Sequence, residues 1–112
     1  MPRRRQRGTY TTPLHGAPLC IAVLYKKGAL RHKDYVDQDL SAATQNILLE
    51  AEHLGLGAVW MGIAPLKERM NGAKAVLELG EEYEVFALIA VGYPDGKPAM
   101  HDRYNAQRVI WR

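Results

Sequence analysis

The sequence predicts an α+β fold, an α/β-type sandwich in which helices flank one central sheet. Two apolar runs of strand length, residues 17–25 and 85–91, stand either side of a stretch with helical periodicity at 40–54. Between them the segments run strand, helix, strand, helix, strand, with no internal repeat. At 112 residues the chain is read as one domain over residues 17–112, preceded by an arm at 1–16 and ending in a further arm at 95–112.

The first strand is APLCIAVLY, continuously apolar with β-branched members, with Pro18 at its start and Gly28 beyond its end. Cys20 within it has no second cysteine to pair with and is read as a small core residue. The charged stretch KKGALRHKDYVDQD leads to a helix for which Asp37, Asp39 and Ser41 are candidate caps. Leu40, Ala43, Ile47, Ala51 and Leu54 recur at intervals of three and four, and Gly55 suits the C-terminal turn. Ala42, Leu48 and Leu49 widen that stripe, so the helix is either central in its own domain or shared with a second subunit.

Residues 58–61 form a short strand, and Pro65 suits the first position of a second helix. In LKERMNGAKAVLEL the pair Asn71-Gly72 is a candidate break. VFALIAV is the last strand, closed by Gly92, Pro94 and Gly96. The tail GKPAMHDRYNAQRVIWR is too polar for a core strand, yet it carries Tyr104, Val109, Ile110 and Trp111, the pattern of an arm that docks on something.

Composition narrows the function classes. An apolar share of 47% and a charged share of 24% are those of a globular domain, and no apolar run reaches the length of a membrane span. The start MPRRRQRG lacks the apolar stretch of a secretory signal, so a cytoplasmic location is expected, with no membrane partner. Arg3, Arg4, Arg5 and Arg7 account for the net charge of +3. No nucleic-acid module accompanies them, and no nucleic-acid partner is expected.

Familiar catalytic patterns do not fit. A dinucleotide fingerprint starting at Gly55 and Gly57 needs its third glycine at position 60, which is Trp60, and here the helix precedes the strand. His15, His32, His53 and His101 lack metal-ligand spacing, and no metal is assigned. Ser41 has no nucleophile-elbow context, and Glu50, Glu52, Glu81 and Glu82 read as solvated charges.

Three segments in order carry a resemblance. DLSAATQNILLEAEHLGLGAVWMGIAP, VFALIAVGYP and DRYNAQRVIWR together resemble the C-terminal half of the FMN-dependent nitroreductase family. Its members show an Asp-x-Ser-Ala-Ala-x-x-Asn helix start, a Gly-Leu-Gly turn, a Trp-x-Gly strand end and a strand closing in Gly-Tyr-Pro before a basic tail. The resemblance implies a nitroreductase-like fold and a homodimer formed through the 40–54 helix and the C-terminal arm, with FMN at the subunit boundary. It further implies hydride transfer from NAD(P)H through the flavin to a nitroaromatic, quinone or similar acceptor. The cofactor does that chemistry, so no catalytic side chain is named.

Residue by residue, the resemblance maps Trp60, Met61, Gly62 and Ile63 onto the contact with the flavin ring, where a backbone amide reaches its N5 or O4 edge. It maps His101 and Arg103 onto the two basic positions that hold the FMN phosphate. Arg103 offers a planar fork; histidine in place of the usual Lys or Arg implies weaker, pH-dependent phosphate binding. The chain departs from the family at its start, where an Arg-Arg-Ser-x-Arg segment and several helices are usual. Sixteen residues cannot hold those helices, so a form truncated or internally deleted at the N-terminal side is expected. In a homologous arm Arg4, Arg5 or Arg7 would touch phosphate. The alternative is a non-catalytic dimeric relative with weak or no flavin binding.

Overall fold

A computed structural model describes residues 14–112; the arginines at positions 3, 4, 5 and 7 lie outside the described residues. The elements are β1 (Leu19–Lys26), α1 (Val36–His53), β2 (Gly57–Gly62), α2 (Lys67–Val76) and β3 (Tyr83–Gly92), with short 3-10 turns at Lys27–Ala29, Lys33–Tyr35 and Ala106–Arg108. The sheet order is β1-β3-β2, and both neighbours run antiparallel to β3. β1 and β2 are therefore parallel to one another, and α1 carries the chain across the strand between them.

The central position of β3 explains its composition. Every residue from Val85 to Val91 is buried, because strands lie on both its edges and helices cover both its faces. On the α2 side Val85, Leu88 and Ala90 pack with Met61, Ile63 and Met70. Phe86, Ala87, Ile89 and Val91 pack on the α1 side with Val23, Trp60 and Ile47. The change of face follows from a bulge: Val23 pairs with Ala87 and Leu24 with Val85, so Phe86 is the extra residue of β3.

Several boundaries differ from expectation for identifiable reasons. α1 begins at Val36, four residues before the periodic stretch, continuing out of the preceding 3-10 turn. Asp37 and Asp39 thus lie inside its first turn, where their charge suits the helix dipole, and no side chain caps it. α2 passes unbroken through Asn71 and Gly72, since Met70 and Lys74 on either side are held in the core. Pro65 precedes the helix, whose cap is Leu66. Cys20 is exposed and not a core residue, because it sits near the start of β1, an edge strand.

Gly55 ends α1 as its glycine suggests. It takes φ +76°, its N–H goes to Glu52 O at 3.0 Å, and Leu56 N–H reaches Ala51 O at 2.8 Å, the paired bonds of a Schellman turn. Only Thr44 and Ala51 of α1 are buried, with Leu40, Ile47 and Leu48 half-buried. Leu49 and Leu54 are 59% and 62% exposed, so the wide apolar stripe is covered along one edge alone. The tail is exposed throughout, Trp111 at 87% and Ile110 at 76%. Among the described residues no helix is long and apolar enough to cross a membrane.

Candidate functional site

The candidate site begins where β2 runs out. Trp60, Met61 and Gly62 are its last residues, and Ile63, Ala64 and Pro65 turn the chain towards α2. Met61 and Ile63 are 3% and 2% exposed and anchor this segment in the α2-side core. Trp60 faces the other side, its ring 6.0 Å from that of Phe86 at an interplanar angle of 50°. With those three side chains committed to packing, what the segment offers outward is main chain.

Gly62 makes that offer. It is exposed, and a Cβ built on it would meet nothing within 4 Å. β2 has a partner on one side only among the described residues, so alternate residues turn their N–H and C=O away from the ladder. In the turn, Ala64 N–H goes to Phe86 O at 3.0 Å and Leu66 N–H to Ile63 O at 3.1 Å. Among the described residues no hydrogen bond of the turn uses Ile63 N–H. An exposed glycine followed by an unused amide is a candidate contact for a planar, hydrogen-bond-accepting ring edge, since no side chain at Gly62 bars its approach. These residues fit a flavin.

α2 frames the segment from below and is itself held to the sheet by charge. Lys74, only 8% exposed, places Nζ 3.2 Å from Glu81 O, 3.5 Å from Glu81 Oε2 and 3.7 Å from Glu84 Oε1. Lys27 Nζ closes on the same Glu84 oxygen at 3.1 Å. The hydrogen bond from Lys27 holds the Glu84 carboxyl below the usual glutamate range, opposed by burial and aided by the charge of Lys74. From the first turn of α2, Arg69 Nη1 donates to Gly62 O at 3.0 Å. Neither Arg69 nor the Lys27–Glu84–Lys74 cluster was singled out by sequence reasoning; an arginine seven residues past a glycine has no motif.

The tail positions stand apart from this segment. Gly57 pairs with Gly92 and Gly62 with Ala87, so the tail leaves β3 five positions, about 17 Å, from Gly62. His101 and Arg103 are exposed, and neither makes a hydrogen bond or ion pair with another described residue. Asp102 Oδ1 accepts from Tyr104 N–H at 2.9 Å, and Asn105 Oδ1 from Gln107 N–H at 3.0 Å. Nine residues from Gly92 to His101 extend to about 30 Å, more than the distance back to the ring contact. The structure thus keeps Trp60, Met61, Gly62 and Ile63 in one segment, and among the described residues no hydrogen bond or ion pair joins His101 or Arg103 to it. A shallow, open depression of about 500 Å³ lies at the other end of the ladder, between Pro18, Val59 and Tyr93. Among the described residues no charged side chain lines it.

Comparison with known proteins agrees with this architecture. The sequence model of the Nitroreductase family matches residues 3–93. A protein of Methanothermobacter thermautotrophicus, for which the name NADH dehydrogenase/NAD(P)H nitroreductase has been proposed, is 36% identical over 100 residues, covering 89% of this chain and 52% of its own length. A proposed NADH oxidase of Clostridium acetobutylicum has a crystal structure that superposes with TM-score 0.79 at 39% identity, over 84% of this chain and 57% of that one. A proposed nitroreductase of Desulfovibrio desulfuricans, solved in complex with FMN, gives TM-score 0.65 at 32% identity, over 87% and 56%. The chain thus spans about half the length of the relatives it matches. With its fold shared and most of its length matched in this way, the chain belongs to the nitroreductase family.

Proposed function

We propose that the chain binds FMN at the end of β2 and serves as an NAD(P)H-dependent oxidoreductase. The observation that carries this reading is the exposed main chain at Gly62 beside an Ile63 N–H that the turn leaves unused, in a chain similar to a nitroreductase solved with FMN bound. Bound FMN supplies the redox chemistry, hydride moving from NAD(P)H to the flavin and on to a nitroaromatic, quinone or similar acceptor. With FMN bound, the Ile63 amide would donate to the N5 or O4 edge of the ring, favouring electron density that arrives there. Buried Met61 and Ile63 keep that amide in place, and Trp60 braces it through Phe86. Arg103, joined by His101, would hold the phosphate.

In this reading the working unit is a cytoplasmic homodimer. The uncovered residues of α1 and the apolar side chains of the tail are its contact surfaces, because exposed Leu49, Leu54, Ile110 and Trp111 gain from burial that the described residues of one chain do not provide. The second reading, a non-catalytic dimeric relative with weak or no flavin binding, draws on the chain's spanning about half of its relatives. The absorption spectrum of freshly purified protein separates the two. A flavin band that remains after gel filtration supports the enzyme; colourless protein that takes up no added FMN supports the other reading.

A further inference from the structure

We propose that Arg69 is a positioning residue for the flavin: it polarises the Gly62–Ile63 peptide and thereby makes the site prefer reduced over oxidised FMN. The inference rests on the flavin reading given above. Its starting point is the 3.0 Å bond from Arg69 Nη1 to Gly62 O. That oxygen and the Ile63 N–H belong to one peptide group. A guanidinium on the oxygen draws electron density through the amide and strengthens the N–H as a donor, the cooperativity of linked hydrogen bonds. The N–H concerned is the one the turn leaves unused.

The placement of Arg69 is not one that helix stability favours. It occupies the first turn of α2, Lys67–Val76, where the helix dipole is unfavourable to a cation. An arginine held there, with its side chain reaching back seven residues to the strand end, directs positive charge towards the main chain that the ring would approach. Hydride carries two electrons and one proton, so its transfer from NAD(P)H, with NAD(P)+ released, would leave a bound flavin one unit more negative. A stronger donor and a nearby cation both stabilise that added charge. They act little on the oxidised ring.

The test measures the dissociation constants of oxidised and two-electron-reduced FMN for the full chain, and the potential of the bound flavin against a reference dye. In Arg69→Gln the preference for reduced FMN is expected to fall about tenfold, a potential lower by ~30 mV for a two-electron couple. Arg69→Lys keeps the charge but not the planar fork, and a fall of about threefold is expected. In the flavin-free protein the Ile63 amide proton resonance is expected to move upfield in Arg69→Gln. A folded variant of either kind that keeps the wild-type ratio overturns the proposal while leaving the flavin reading intact. Wild-type protein that takes up no FMN overturns both. If neither variant folds, Arg69 is assigned to stability and the proposal is likewise overturned.

Discussion

Glu78 repeats at the end of α2 the left-handed backbone that Gly55 adopts at the end of α1, with φ +53° against +76°. Both turns close in the same way: Leu79 N–H reaches Lys74 O at 3.1 Å as Leu56 N–H reaches Ala51 O at 2.8 Å. The residues are unequal, since only glycine holds this conformation without a Cβ penalty. Gly55→Ala is expected to lower stability by about 1 kcal/mol, and Glu78→Gly to raise it by about 0.5–1 kcal/mol. A Cβ at Gly55 meets nothing within 4 Å, so its loss is a backbone effect alone. Urea midpoints moving in opposite directions would bear this out, and a neutral Gly55→Ala would refute it.

The charge cluster under α2 makes stability depend on acid. The Glu84 carboxyl is held below its ordinary value of 4.5 when folded, first by the hydrogen bond from Lys27. Its contribution is therefore present above that ordinary value and is lost as pH falls through the lower folded value. Glu84→Gln leaves buried Lys74 with Glu81 alone and is expected to cost about 1–3 kcal/mol at neutral pH. As pH falls below the glutamate range the variant and the wild type should converge. Melting curves that stay parallel from neutral to acid pH would show that Glu84 is not the group responsible.

Much of the fold was legible because it follows from pattern. β3 is continuously apolar, and only a strand enclosed on every side has use for VFALIAV; Gly55 and the spacing before it named both a helix and its end. The bulge at Phe86 has no such sign, since it exists only in the pairing of β3 with β1. Cys20 misled because an apolar run does not say which strand lies at the edge. At the candidate site, the stretch from Trp60 to Ile63 stands out by motif, whereas Arg69 and Lys74 act through partners seven residues away and show no period of their own.

The exposed tail should be the part of the molecule most changed by assembly. Removing residues 95–112 is expected to shift the proposed homodimer towards monomer, because the exposed side chains of Tyr104, Ile110 and Trp111 go with it. Sedimentation velocity at micromolar concentration checks this. A full-length chain that sediments as a well-behaved monomer would count against the dimer.

For the phosphate, Arg103→Ala is expected to weaken FMN binding by about ten- to a hundredfold, the loss of a charge-assisted contact. Riboflavin, which lacks the phosphate, should bind wild type and variant alike. Equal losses for FMN and riboflavin would remove Arg103 from the phosphate and place its effect elsewhere.

The account depends most on the main chain at the end of β2, and FMN titration of Gly62→Val, followed by flavin fluorescence, tests it most directly. Valine suits an exposed edge strand, and there is open space around the position, so the variant is expected to melt no lower than wild type. Wild type should quench FMN fluorescence saturably and gain thermal stability with FMN bound. Gly62→Val should bind at least ~10-fold more weakly, because its branched side chain stands where the ring must come against the backbone. A wild type that leaves FMN fluorescence unchanged, or a valine variant that binds FMN equally well, would contradict the account.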